Sequence, residues 1–400
     1  MRTLNLCIFL LLASISAEGL SKEKKNLFWT AECVSSGHPD KMADQISDAI
    51  LDAYLTLDPY AKVACETLLK GDTAVVAGEI TSTVKVPIEE IVRKTVLSIG
   101  YHSTSIGIDM EQFKVINLLS EQSPEIHHAV EDGGAGDQGI MFGYATNETK
   151  TYMPLVQYLC RKLTDAYEKC RESVFWMYPD AKTQITIYYN EKGIPESIPF
   201  VVFSLQHSDE VSLEEVKRGF HSKVFPLFLE SLEPAEQALF SSKTEYMINF
   251  AGEWNLGGPR ADAGLTGRKI VIDQYGPDCP IGGGAFSGKD PTKVDRSAAY
   301  MARYIAKNIV DFGLAEEVTV QLSYLIGRKD PISFCVNTHN TSRTLSDYEI
   351  TEMVRELISL DSASIIKYFD LRRPIYQETA RRGAFGYESI PWERLDLFNQ

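Results

Sequence analysis

The chain has 400 residues, 44% of them hydrophobic, with a formal net charge of −15 and a pI near 5.0. That length supplies more than one core, so several lobes are expected, and the acidic balance excludes a general nucleic-acid binder. The seven cysteines form no CxxC pair and no zinc-type spacing, and read as ordinary thiols.

At the N-terminus, Arg2, the apolar run Leu4 to Leu12 and the small residues Ser16 and Ala17 make residues 1–19 resemble a secretory signal peptide, too short to span a bilayer. The segment is either a signal leading to the secretory pathway or an extension with no targeting role. A first long helix is predicted over Pro39–Tyr54, with Met42, Ile46, Ile50 and Ala53 on one face. Its start reads Gly37-His38-Pro39-Asp40-Lys41, and Pro39 fixes the entry so that His38 and Asp40 sit at the positive helix end. There His38 suits a phosphate, Asp40 a magnesium ion, and Lys41 adds charge. Asp44, Asp48 and Asp52 continue from Asp40 at i, i+4 spacing and read as a solvated acidic stripe.

A hairpin followed by a helix is predicted three times. The first has strands Ala61–Leu69 and Thr73–Thr83 about Gly71-Asp72, then a helix from Pro87 to Ile99. The second has Thr183–Tyr189 and Ile198–Gln206 about Lys192-Gly193, then a helix from Ser212 to about Leu229. The third has Val318–Ile326 and Ile332–Val336, then a helix from Ser346 to Leu357. Alternation such as Val318, Val320, Leu322 supports half-buried sheets, and the repeat suggests pseudo-symmetric α+β lobes.

Charged residues marked by glycines lie between these units. The loop Gly134–Gly139 carries Asp137 and no lysine, so it suits an amino or cationic group. Asp180-Ala181-Lys182 precedes the strand at Thr183; Asp262 and then Arg268-Lys269 precede an expected strand Ile270–Asp273. The richest stretch is GGGAFSGKDPTKVDRS, Gly282 to Ser297, where glycines allow close approach of backbone N–H groups to an anion and Lys289 and Lys293 follow. Asp290 and Pro291 are expected to cap and open a helix Pro291–Val310, with Val294, Ala298, Met301, Ile305 and Ile309 facing the core. Gly283 to Lys289 fits part of a P-loop, but Asp290 stands where Ser or Thr would bind magnesium and no apolar strand enters the glycines. The stretch reads as a polyphosphate cradle with a carboxylate for a metal.

GHPDKMADQISDAILDA, VACET, AGEIT, GAGDQGIMFGYATNET, DAGLTGRKIVID and GGGAFSGKDPTKVDRSAAY together resemble the methionine adenosyltransferase (S-adenosylmethionine synthetase) family, from about Phe28 to Pro391. The resemblance implies an α+β fold of three pseudo-threefold lobes built from non-consecutive segments, with an N-terminal region 28–139, a central region 140–258 and a C-terminal region 259–400. It implies synthesis of S-adenosylmethionine from ATP and L-methionine, with triphosphate then cleaved to pyrophosphate and phosphate. His38, Lys182, Arg268 and Lys289 would be catalytic, contacting phosphates together with Lys269, while Asp180, Trp254, Asp262 and Ala285 complete the ATP contacts. Glu79, Gln122, Asp137, Asp262 and Lys293 would face methionine. Asp40 and Asp295 would hold two Mg2+ ions, and Glu66 a K+ ion. A homodimer or homotetramer, in the cytoplasm, is implied.

The chain departs from that pattern at several places. Glu253-Trp254 stands where relatives carry Arg-Phe, Cys33 and Ser36 where Ser and Glu are expected, and Ile281 replaces a histidine. The stretch from Gln122 to Gly134, with His127 and His128, is shorter than the usual gating loop. These departures raise the alternative of a catalytically weakened paralogue serving as a regulatory or structural subunit.

Overall fold

In the computed structural model, residues 27–121 and 134–399 are described. The strands are β1 (Leu27–Val34), β2 (Lys62–Lys70), β3 (Thr73–Thr81), β4 (Lys114–Ser120), β5 (Gly139–Thr146), β6 (Met177–Tyr189), β7 (Pro195–His207), β8 (Glu245–Ile248), β9 (Gly264–Leu265), β10 (Glu317–Tyr324) and β11 (Ser333–Asn337). They form three sheets, ordered β4-β3-β2-β9, β1-β6-β7-β8 and β11-β10-β5. Each contains one of the expected hairpins, β2–β3, β6–β7 and β10–β11, all antiparallel. Each hairpin also takes a strand from a distant part of the chain: β9, β1 and β5 respectively. The lobes are therefore built from non-consecutive segments, as the resemblance implies.

The helices that cover the sheets are α1 (Pro39–Leu57), α2 (Ile88–Ile99), α3 (Leu155–Arg171), α4 (Leu213–Gly219), α5 (Val294–Asp311), α6 (Asp347–Leu357) and, near the C-terminus, α7 (Gln377–Arg382). α1 packs on β2, α3 on β6 and β1, and α5 on β5 and β10. Met42, Ile46 and Ile50 of α1 join Ala298, Met301, Ile305 and Ile309 of α5 in one core shared by the first and third sheets. The central sheet has its own core around Leu159, Leu163, Ile185 and Phe203.

Several expectations need correction. Ile270–Asp273 is a single helical turn rather than a strand; its four residues pair with no neighbouring strand, and Asp273 N bonds back to Lys269 O. The helix expected from Ser212 to Leu229 contains a π turn at Phe220–Val224, next to Pro226, whose missing N–H interrupts the regular ladder. Asp180, Ala181 and Lys182 lie inside β6, beside a register shift between Met177 and Ala181, and not ahead of it. α5 starts at Val294 with Lys293 as its N-cap, not at Pro291. Asp290 turns its carboxylate to the Thr292 N–H and hydroxyl and to the Val63 N–H, so it is a bracket between loop and strand and not the helix cap.

The described cysteines are all free. Among the described residues no helix is long and apolar enough to cross a membrane. The signal-like segment 1–19 and the short loop with His127 and His128 lie outside the described residues.

Candidate active site

The edge of β2 that faces away from β3 receives two loops in succession. Near its C-terminal end Leu68 and Leu69 pair with Leu265 and Gly264. Near its start Cys65 N–H donates to Gly288 O and Asp290 N–H to Val63 O, so the second loop continues the same edge. The two cationic loops predicted from sequence are thereby brought side by side: a Cβ on Gly267 would stand 2.8 Å from Ala285 Cβ.

α1 enters this junction with its N-terminus. His38 is the N-cap, and its Nδ1 accepts from Asp40 N–H at 3.2 Å. That bond leaves the imidazole proton on Nε2. Burial, and then the charge of Lys269, push the His38 pKa down to about 4, so the ring is neutral near pH 7. Asp40 accepts the Leu265 N–H at 2.9 Å and pairs with Lys269. Burial works against its charge, but Lys269 and the Leu265 N–H outweigh it and hold the carboxyl below its ordinary range. Arg268, more exposed, lies 3.9 Å from the same carboxylate.

The second loop holds a matching pair. Lys289 Nζ contacts Asp295 Oδ2 at 2.6 Å, both groups partly exposed. Asp295 stands in the first turn of α5, and Gly284 lies so close that an added Cβ would be 2.4 Å from its carboxylate. Gly288 has φ +79°, and an added Cβ would lie 1.8 Å from Cys65 O, so this position requires glycine. Lys293 pairs with Asp290 at 2.5 Å.

Asp44, Asp48 and Asp52, expected to be solvated, are the main correction. Asp44 and Asp48 have no solvent exposure. Asp44 accepts the Gly267 N–H at 2.9 Å, Asp48 accepts the Gly288 N–H at 2.8 Å, and Asp52 accepts the Tyr376 and Gln377 N–H groups that open α7. With Asp40 on Leu265, the stripe becomes a spine that holds both loops and α7 by their backbones. Its charge is matched internally. Asp48 makes a two-pronged pair with the fully buried Arg296, at 2.7 and 2.6 Å. Lys41, read as extra charge for the site, is buried instead between Asp44 and Asp273, at 3.1 and 2.5 Å. Burial opposes its charge, but those two carboxylates keep it protonated.

The remaining candidates divide. Lys182 and Asp262 both lie close enough to His38 to act on its charge, and Lys182 pairs with Glu32 at 2.8 Å. Asp180 accepts the Gly258 N–H at 2.9 Å, while its Oδ1 has no partner among the described residues; burial pushes its pKa up to about 7. Trp254 is tied by its backbone to the end of β7. Glu66 and Glu79 are exposed on the outer face of the first sheet, opposite Ala77 and Ala64; Ala64 also bridges Lys289. Asp137 is exposed and accepts its neighbour's N–H. Gln122 lies outside the described residues. Sequence reading passed over Asp48, Arg296 and Asp273 as parts of the site's support. The i, i+4 spacing carries no signal of this by itself, because the partners Gly267, Gly288 and Arg296 are remote in the chain.

Models of the S-adenosylmethionine synthetase N-terminal, central and C-terminal domains match residues 26–124, 132–254 and 256–394 of the chain. Two S-adenosylmethionine synthases, from two strains of Staphylococcus epidermidis, are each 45% identical to it over 394 residues, covering 94% of this chain and 97% of theirs.

Proposed function

The chain belongs to the S-adenosylmethionine synthetase family, and we propose that it performs methionine adenosyl transfer at the junction of α1 with the two cationic loops. The enzyme makes S-adenosylmethionine from ATP and L-methionine. A lone pair on the methionine sulfur forms a bond to C5′ of ATP, the C5′–O bond breaks, and triphosphate leaves with that electron pair. Water then cleaves the triphosphate to pyrophosphate and phosphate.

A thioether has no proton to lose, so no general base is needed for the transfer. What the step requires is alignment and neutralisation of a highly charged leaving group. The observation that carries the reading is the arrangement of Lys269 on Asp40 and Lys289 on Asp295, two cation–carboxylate pairs on adjoining loops. A bound polyphosphate draws the lysines to its oxygens. Arg268 and Lys182 add charge beside them, and neutral His38 donates Nε2–H. Asp180 Oδ1 offers an unfilled acceptor and Asp262 a carboxylate, while Ala285 keeps the glycine loop close. Trp254 provides a ring for adenine.

Asp40 and Asp295, released from their lysines, suit Mg2+, which is commonly bound by one or two carboxylates together with substrate phosphates. That donor chemistry fits the described residues, among which no group of three or more metal-ligating side chains is gathered. Magnesium so bound supplies charge neutralisation at the phosphate oxygens. On the methionine side, Glu79, Gln122, Asp137, Asp262 and Lys293 are the proposed contacts, and Glu66 is proposed for K+.

The sheet face that presents Glu66 and Glu79 also presents Leu68, Ile116 and Leu118, which are 40%, 45% and 60% exposed. Apolar side chains around those carboxylates support a homodimer or higher oligomer in which a second copy covers the face. No observation favours a weakened subunit.

Purified protein given methionine, ATP, Mg2+ and K+ is expected to form S-adenosylmethionine, detected by chromatography. Folded protein that forms none under these conditions would remove the reading.

A further inference from the structure

The segment that carries Trp254 is held to the end of β7 by an unusual set of bonds. His207 is the last residue of β7 and has no solvent exposure. Its backbone N–H donates to Trp254 O at 2.9 Å, and its ring Nε2 accepts from Trp254 N–H at 3.1 Å. One residue therefore takes both main-chain polar groups of Trp254. The other ring nitrogen, Nδ1, lies 2.9 Å from Ser208 O. The Trp254 N–H on Nε2 requires that nitrogen to be unprotonated, so the neutral ring carries its proton on Nδ1 and gives it to Ser208 O. Asn255 Nδ2, 3.3 Å from the same Nδ1, gives its hydrogen to His207 O instead. Asn255 then donates to His207 O at 3.1 Å and Gln206 Nε2 to Asn255 O at 3.1 Å, which fixes the next residue as well.

The same segment runs on to Gly258, whose N–H is held by Asp180. Trp254 is thus joined to the phosphate-side cluster through a short stretch clamped at both ends, by His207 and by Asp180. A fixed backbone sets where the indole can be presented, because the ring turns only about its Cα–Cβ and Cβ–Cγ bonds. Its Nε1–H is already used on Leu256 O at 2.9 Å, which sets the ring plane once the backbone is set.

We propose that His207 is a positioning residue for ATP: as the Nδ1–H tautomer it locks the backbone of Trp254 and so presents the indole to the adenine. This rests on the reading of Trp254 as an adenine contact. Loss of the Nε2 acceptor leaves the Trp254 N–H without a partner and frees the ring, so nucleotide affinity falls while methionine affinity does not.

Two polar substitutions separate the two ring nitrogens. In His207→Asn the shorter amide reaches the place of Nδ1 and keeps a donor for Ser208 O, but the acceptor for Trp254 is gone. In His207→Gln the longer amide restores an acceptor near the place of Nε2. Steady-state kinetics with Trp254→Ala as a reference, and thermal unfolding of each protein, form the test. His207→Asn is expected to raise the KM for ATP about tenfold with kcat and the KM for methionine little changed, and His207→Gln to stay within about twofold of the parent. Trp254→Ala is expected to raise the KM for ATP at least as much as His207→Asn. If Trp254→Ala leaves it unchanged, the adenine reading of Trp254 fails and the proposal with it. If Trp254→Ala raises it but Asn and Gln behave alike, or if His207→Asn raises both KM values in step with a lowered melting temperature, His207 has only a structural role and the proposal is overturned.

Discussion

Lys289 and Asp295 form a pair in which each side chain keeps about a fifth to a quarter of its exposure. Exposed pairs of this kind contribute about 0–1 kcal/mol to folding, whereas a cation aimed at a leaving triphosphate acts on the transition state. Lys289→Ala is therefore expected to lower kcat about 10²- to 10³-fold and to shift the melting temperature by only a few degrees. Equal losses of turnover and stability would count against the role. Gly288 behaves in the opposite way. Its positive φ and its contact with Cys65 O leave no room for Cβ, so Gly288→Ala should displace the loop, lowering both activity and melting temperature. These two residues are adjacent, and kinetics with calorimetry on the pair separates chemistry from scaffold. His38, Asp40, Lys289 and Gly288 were legible in the sequence because short-range patterns carry them: a cap before Pro39, and a glycine run ahead of a lysine.

At the scale of the element, α1 is a helix whose polar stripe is as buried as its apolar one. The stripe was misread because i, i+4 carboxylates look the same in sequence whether water or backbone N–H groups face them. The partners Gly267, Gly288 and Arg296 lie more than two hundred residues away. Asp48→Ala would leave Arg296, 1% exposed, without its counter-charge, and the expected cost is about 3–5 kcal/mol in denaturant unfolding. An unchanged unfolding midpoint would contradict the buried pair. Asp52, at the far end of the stripe, supplies a pH dependence. Burial raises its pKa to about 7 despite the N–H groups of Tyr376 and Gln377. The folded state thus binds this proton more tightly than the unfolded chain, so the contribution is fully present below about pH 4 and is lost as pH rises towards 7. Asp52→Asn lacks that loss. The difference in melting temperature, variant minus parent, is expected to become more positive from pH 4 to pH 7; a constant difference would show that Asp52 titrates normally.

For the whole molecule, the outer face of the first sheet is where a second copy is expected to seat. Leu118, on the edge strand β4, pairs with Ala77, which in turn pairs with Glu66 on that face. Leu118→Glu places a charge there without touching the core, and is expected to reduce the sedimenting mass to that of one chain and to reduce turnover with it. A variant that keeps its assembly would show that the face is not the interface. By itself the sequence determined the three hairpins, the two apolar helix faces, both cationic loops and the family, since period-2 and period-3.6 patterns and glycine-marked motifs are local properties of the chain. Only the tertiary structure decided which strands from distant segments complete each sheet. It alone turned Asp44, Asp48 and Asp52 inward, buried Lys41 and Arg296 as their counter-charges, and set β9 and the Gly288 loop along one edge of β2. The reason is physical: a buried charge or an edge strand's free backbone groups must find partners, and which partner they find depends on what the fold brings within reach.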